Sequence, residues 1–281
     1  MGGLVLEGGS FRCMFSAGVM DALLENKIIC DYIIGVSAGI SSATSYVSKQ
    51  PRRNLDVIKE YRLDPRYISR RNLISTGSMV GIDFIFDEIP NKLNIFDWKN
   101  YYKFKGKIKV GVTDMRTGES VYKDGKHLDK TFNLLRASCA VPLFFPPVDI
   151  EDRLYLDGGI ADAIPIKQAL KDGNDKLLVV LTQPQGYLKS KNKLTKAGAY
   201  FYKEKYPELY RVMLNRNAMY NKTIKFIEEF KRKYPENIIV LQPEYKINSM
   251  ESDIGILENV YNHGYNMAKT RLENIGKFLT N

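Results

Sequence analysis

The sequence predicts an α/β protein built on a largely parallel sheet, and three stretches carry that expectation. Gly3-Leu4-Val5-Leu6-Glu7 reads as a strand that runs at once into a glycine loop and a helical sequence. Ile33-Ile34-Gly35-Val36 reads as a second strand, again followed at once by a small-residue helix. Leu177-Leu178-Val179-Val180-Leu181 is apolar without alternation, as a parallel strand buried on both faces must be. With 281 residues and 44% hydrophobic content, one large domain with a sizeable core is expected.

The first loop reads Gly8-Gly9-Ser10-Phe11-Arg12-Cys13, and Ala17 to Leu24 has apolar residues at helical spacing. Strand, glycine loop and helix together collect backbone N–H groups around an anion. The dinucleotide pattern G-x-G-x-x-G is not met, and no Gly-Lys-Ser/Thr follows to make a phosphate loop. An oxyanion hole with an arginine close by remains, beside the plainer reading of a tight turn with Arg12 on the surface. At the second strand the turn is Gly35-Val36-Ser37-Ala38-Gly39. G-x-S-x-G on a strand-to-helix turn projects a serine hydroxyl past the sheet edge, and the glycines make room for the bend. The alternative is that Ser37 simply caps the helix that follows, which runs to about Lys49.

Gln50-Pro51-Arg52-Arg53 ends that helix, and Leu55 to Trp98 is mixed and rich in aromatic residues, either lining a cleft or filling core. Short helices are suggested at 56–61 and 83–87. Residues 107–114 alternate as a strand, turn at Thr117-Gly118 and return over 119–122. A helix over 132–138 leads into Val141-Pro142-Leu143-Phe144-Phe145-Pro146-Pro147, whose prolines rule out helix and leave a rigid apolar wall. The strand 153–157 ends in Asp157-Gly158-Gly159, which puts a carboxylate at a strand's C-terminal edge; the same three residues also make an ordinary turn. A long helix over 207–233, a strand over 238–241 and one final helix over 250–279 complete the chain.

The net charge is +10, and residues 187–233 hold thirteen Lys and Arg against four Glu. Such a concentration suggests an anionic partner, phospholipid head groups or nucleic acid, or else a solvated helical face. Three widely spaced cysteines, Cys13, Cys30 and Cys139, argue against a disulfide framework and against a zinc site. No apolar run reaches the length of a membrane span, and no signal-peptide or myristoylation pattern is expected at the start; the cysteine usage points to a reducing compartment, so cytoplasmic localisation, peripheral at the membrane if anywhere else, is the expectation.

Four landmarks in order give a family resemblance: Leu6-Glu7-Gly8-Gly9-x-x-Arg12, Gly35-Val36-Ser37-Ala38-Gly39, Ala137-Ser138-x-x-x-Pro142-x-x-Phe145-Pro146-Pro147 and Asp157-Gly158-Gly159. The chain resembles the patatin-like phospholipases from Leu4 to about Tyr187. The resemblance implies a three-layer α/β/α fold with a mostly parallel central sheet, and a patatin-like catalytic core over 1–186. Residues 187–281 then form a basic, mainly helical portion packed on the same domain with one further strand. It implies a serine lipid acyl hydrolase, a phospholipase A, lysophospholipase or carboxylesterase, that works without metal or cofactor. Ser37 takes the nucleophile's place and Asp157 that of its base. Gly8, Gly9, Ser10 and Arg12 take the oxyanion loop's place, with Gly35, Gly39, Gly158 and Gly159 supporting the turns. The two histidines, His127 and His263, stand outside any motif, which favours a dyad over a triad. The family has glycine where this chain has Ser10 and Cys13. A positive φ at position 10 would cost serine about 1 kcal/mol. These substitutions motivate the alternative of a catalytically weak lipid-binding or regulatory protein. The expected partners are a lipid or ester substrate and, through 187–233, an anionic membrane; nucleic-acid binding is not expected, for lack of a motif.

Overall fold

The structure is a computed structural model that describes residues 2–190 and 198–280, so Lys191, Lys193 and Lys196 of the basic stretch lie outside the described residues. The strands are β1 (Gly2–Leu6), β2 (Tyr32–Val36), β3 (Lys107–Asp114), β4 (Ser120–Asp124), β5 (Val148–Ile150), β6 (Arg153–Asp157), β7 (Lys176–Val180) and β8 (Ile238–Leu241). They form one sheet in the order β5-β6-β3-β2-β1-β7-β8, with β4 on β3 off this path. Strands β3, β2, β1, β7 and β8 are parallel, whereas β4, β6 and β5 pair antiparallel. The mostly parallel sheet with helices on both faces is the α/β/α architecture expected.

Period-two alternation sorts the central strands between two cores. Leu4, Leu6, Ile33, Leu178 and Val180 join one cluster, and Val5, Ile34, Leu177 and Val179 the other. The first face is covered by α1 (Met14–Glu25), α2 (Ser37–Val47), α3 (Arg53–Tyr61) and α9 (Ile254–Lys269). The second is covered by α7 (Ile166–Lys171) and α8 (Pro207–Lys233), through Ile166, Ala169, Tyr220, Ile224 and Ile227. Helices α1 and α9 touch backbone to backbone: a Cβ on Gly18 would lie 2.0 Å from Tyr261 O, and one on Gly264 would lie 2.0 Å from Phe15 O. Beside this crossing the Tyr261 hydroxyl donates to Asp21 Oδ2 at 2.8 Å.

The aromatic segment turns out to be core, with Tyr61, Tyr67, Phe84, Phe86 and Phe96 all buried in the first cluster. It contains α4 (Arg70–Thr76) and, around Pro90, a π-helical run over Phe84–Leu93, and it ends where α5 (Trp98–Lys103) begins. α6 (Asn133–Ser138) leads into the proline-rich stretch, where Leu143 and Phe144 face solvent and Phe145 is half-buried. The single helix expected over 250–279 is two, α9 and α10 (Leu272–Thr280). The break at Thr270-Arg271 lets α9 spend its buried stripe on α1 while Leu279 packs on Gly2 at the start of β1. Among the described residues no helix is long and apolar enough to cross a membrane.

Candidate active site

Two strands share one edge of β3, and the site lies where they meet. β2 pairs with β3 as far as Val36↔Gly111. β4 occupies the opposite edge of β3 from Lys109 to Thr113. β6 therefore takes the edge that β2 vacates, with Val112↔Asp157 and Asp114↔Tyr155, and runs antiparallel toward the end of β2. Ser37 begins α2 at the end of one strand, and Asp157 ends the other.

Ser37 has φ 54°, a left-handed conformation that costs a non-glycine residue about 1 kcal/mol and needs support from its surroundings. That support is buried. The Ser37 N–H donates to Ser138 Oγ at 2.8 Å, and the Ser138 hydroxyl donates to Gly111 O at 2.7 Å. On the other strand end, the Asp157 N–H donates to Ala140 O at 3.0 Å and the Thr113 hydroxyl donates to Asp157 O at 2.8 Å. The two side chains then meet: Ser37 Oγ donates to Asp157 Oδ2 at 2.6 Å, while Asp157 Oδ1 accepts the Gly159 N–H at 2.7 Å. Ser37 is 7% exposed and Asp157 3%. Burial raises the Asp157 pKa above the ordinary carboxylate value; the Arg216 guanidinium, the Ser37 hydroxyl, the Gly159 N–H and the Lys189 ammonium oppose that rise.

The glycines allow this proximity by lacking a side chain. A Cβ on Gly39 would lie 2.4 Å from Glu7 O, and one on Gly158 would lie 2.3 Å from Gly111 O. Gly35 packs on Leu6 Cβ, and Gly8 lies against Ser37, its Cβ position 3.1 Å from Ser37 Cβ. In the loop, Gly8 N–H donates to Ala163 O at 3.3 Å, whereas among the described residues the Gly9 and Ser10 N–H groups have no acceptor. Ser10 has φ 51°, so this position does demand the positive φ that serine resists. Arg12 is half-buried and turned toward Thr182, with Nε donating to Thr182 Oγ1 at 3.4 Å. Glu7 anchors the same region, its Oε2 accepting the Thr182 N–H at 2.7 Å.

Several neighbours were not singled out by sequence. Ser138 lies within a landmark stretch, which was the signal available for it. Arg216, on α8, donates from Nε to Gly159 O at 2.8 Å. Lys189 places Nζ over the Tyr220 ring at 3.8 Å, and burial, with Arg216 nearby, pushes its pKa down to about 7. Nothing beyond the basic composition of their region pointed to these two. Cys139 Sγ lies 3.3 Å from Ser41 Oγ, and burial pushes its thiol up to about 12, so it stays protonated. Cys13 is buried and its thiol donates weakly to Glu7 O at 3.6 Å. His127 is exposed, and His263 packs between Phe15 and Tyr245. Among the described residues no group of three or more His, Cys, Asp or Glu side chains is placed to hold a metal ion. A cavity of about 460 Å³ lies between Gln183, Tyr187, Tyr220, Gln242, Glu244 and Arg271, and none of the motif residues lines it.

The family described as patatin-like phospholipase matches residues 4–170, and a second, described as a domain of unknown function (DUF6363), matches residues 206–280. The chain is similar to uncharacterized protein YjjU of Escherichia coli strain K12, 24% identical over 293 residues that cover 99% of this chain and 78% of that one. It is similar to probable lipid hydrolase 463L of Invertebrate iridescent virus 6, 23% identical over 62% of this chain and 64% of the viral protein. Lysophospholipase nte1 of Aspergillus oryzae is 26% identical over 66% of this chain, which spans only 12% of the fungal protein.

Proposed function

The chain belongs to the patatin-like phospholipase family, and from that premise we propose that it is a lipid acyl hydrolase working through a Ser37–Asp157 dyad. The observation that carries the reading is the 2.6 Å hydrogen bond from Ser37 Oγ to Asp157 Oδ2, made by a serine held at φ 54°. Asp157 takes the Ser37 proton as Oγ attacks the ester carbonyl, and the Gly9 and Ser10 N–H groups receive the developing oxyanion. Collapse of the tetrahedral intermediate breaks the ester C–O bond, and the proton passes from Asp157 to the departing alcohol. Water then gives a proton to Asp157 and attacks the acyl-enzyme; the carboxylic acid leaves and Ser37 regains its hydrogen. A carboxylate suits this only if its pKa moves toward the working pH, and burial of Asp157 acts in that direction.

The names of the viral and fungal relatives support lipid esters, lysophospholipids among them, as the substrates to test first. We read the basic stretch over 187–233 as the face that meets an anionic membrane, with 1–186 as the catalytic core and 187–281 packed upon it. The left-handed Ser10 favours a second reading, a weak enzyme that chiefly binds lipid. A fluorophosphonate probe separates the two. Labelling of wild type that is abolished in Ser37→Ala, with both proteins folded, is expected. A folded wild type that resists the probe would replace the hydrolase reading with the binding one.

A further inference from the structure

Helix α8 reaches the dyad from outside the segment that the phospholipase family covers, which ends at residue 170. Leu209 and Met213, early in the helix, pack with Met115, Leu156 and Ile160 beside β6, and Tyr220, Ile224 and Ile227 pack on the sheet. Between these two anchors stands Arg216, facing the turn Gly158–Ile160 that follows Asp157. Its Nε donates to Gly159 O at 2.8 Å, and the same residue's N–H donates to Asp157 Oδ1 at 2.7 Å. One glycine is thus gripped on one side by the guanidinium and on the other by the carboxylate. Among the described residues Arg216 has no carboxylate within ion-pair distance, so its half-buried charge is answered at longer range by Asp157. Of the groups that favour ionised Asp157, Arg216 ranks first, ahead of the Ser37 hydroxyl, the Gly159 N–H and Lys189.

We propose that Arg216 is a positioning residue for the dyad: it fixes the turn that carries Asp157 and sets a positive charge opposite that carboxylate. The proposal rests on the dyad reading above, and it gives the segment of unknown function a task in the same reaction. A helix that only covered the sheet would need apolar contacts there; an arginine aimed at a backbone carbonyl beside a buried acid does something else. Removing its charge makes Asp157 harder to ionise, so the pH below which Ser37 loses its base moves upward. Asp157 is faced by Lys189 from the loop after β7 and by Cys139 after α6, and Lys189 in turn by Glu7 and Arg12. Burial pushes the Lys189 pKa down to about 7, which makes it the group to control for.

The test is the rate of fluorophosphonate labelling from pH 4 to 9 in wild type, Arg216→Gln, Arg216→Lys and Lys189→Met, with melting curves for each. Arg216→Gln is expected to shift the acid limb to higher pH, a several-fold loss at acid pH that narrows as pH rises. Arg216→Lys keeps the charge and is expected to keep the limb near its wild-type position with a lower plateau. Lys189→Met is expected to move the limb less than Arg216→Gln does. A purely structural arginine would lower the rate equally at every pH, or lower only the melting temperature; either result in a folded variant overturns the proposal. If Arg216→Gln does not fold, a wild-type profile in Arg216→Lys, limb and plateau alike, overturns it. Failure of wild type to label at all would instead strike the dyad reading.

Discussion

Replacing Asp157 by asparagine isolates the proposed proton transfer from the architecture around it. The carboxylate makes two contacts, Oδ2 with the Ser37 hydroxyl and Oδ1 with the Gly159 N–H. An asparagine of the same shape can keep its oxygen on Gly159 and direct its NH₂ to Ser37 Oγ. The turn and the strand end then survive, held as they are by Ala140 O and Thr113 Oγ1 through the Asp157 backbone. The amide cannot accept the serine proton. Loss of a general base costs about 10²- to 10⁴-fold, or about 3 to 5 kcal/mol of transition-state stabilisation. Stability should change far less, because the neutral amide escapes the desolvation penalty of the buried carboxylate while losing its attraction to Arg216. The assay is the second-order rate of fluorophosphonate labelling and of ester hydrolysis near pH 8, with Ser37→Ala as the zero. A folded Asp157→Asn that reacts within tenfold of wild type would refute Asp157 as the base.

Three further outcomes follow from the geometry. Ser10→Gly relieves a left-handed serine, and since glycine's greater unfolded-state entropy offsets part of the gain, stability should rise by less than about 1 kcal/mol; a fall in chemical-denaturation midpoint would count against the φ of 51°. Asp21, between Tyr261 and the Arg52 N–H, is raised by burial from 3.8 to about 6. A raised acid contributes stability at low pH that is lost as pH climbs through about 6. Asp21→Asn should therefore be the more stable protein at pH 7, by at most about 3 kcal/mol, with the difference vanishing near pH 4; equal stability curves at both pH values would refute this. Gly264→Ala would drive a methyl to 2.0 Å from Phe15 O, so α1 and α9 must separate. A loss of about 3 kcal/mol or more in unfolding experiments is expected, and an unchanged melting temperature would show that the helices do not cross there.

Local geometry was legible in the sequence, and long-range pairing was not. Ser37 could be placed on a strand-to-helix turn because the glycines that permit the bend stand two residues to either side. The parallel core strands announced themselves by apolar runs such as Leu177 to Leu181. What brings Asp157 to Ser37 is the antiparallel docking of β6 on an edge of β3, and no local pattern encodes which edge a strand joins. Ser138 reaches Ser37 across 101 positions, and Arg216 reaches Gly159 across 57. The aromatic stretch over 55–98 has the same composition whether it lines a cleft or fills a core, and only packing against α1 and α2 decides. Likewise Thr270-Arg271 carries no glycine or proline to mark a helix end; the break there is imposed by what each half must cover.

The shared edge of β3 works as a ruler. Strands that abut on one hydrogen-bond ladder can approach only in whole residue steps of about 3.3 Å, and each step also turns the side chain to the opposite face. The register therefore places Val36 and Asp157 relative to each other in whole-residue steps, and Ser37 follows one residue beyond the ladder. Surface loops within 38–156 can lengthen or shorten while the two strand ends keep their places, provided β3 keeps its register. Conversely, a one-residue deletion within β6 would carry the carboxylate to the wrong side of the sheet rather than weaken its contact, an all-or-none outcome. Diversification of such a scaffold belongs in its connections, and the ladder is the part to leave alone.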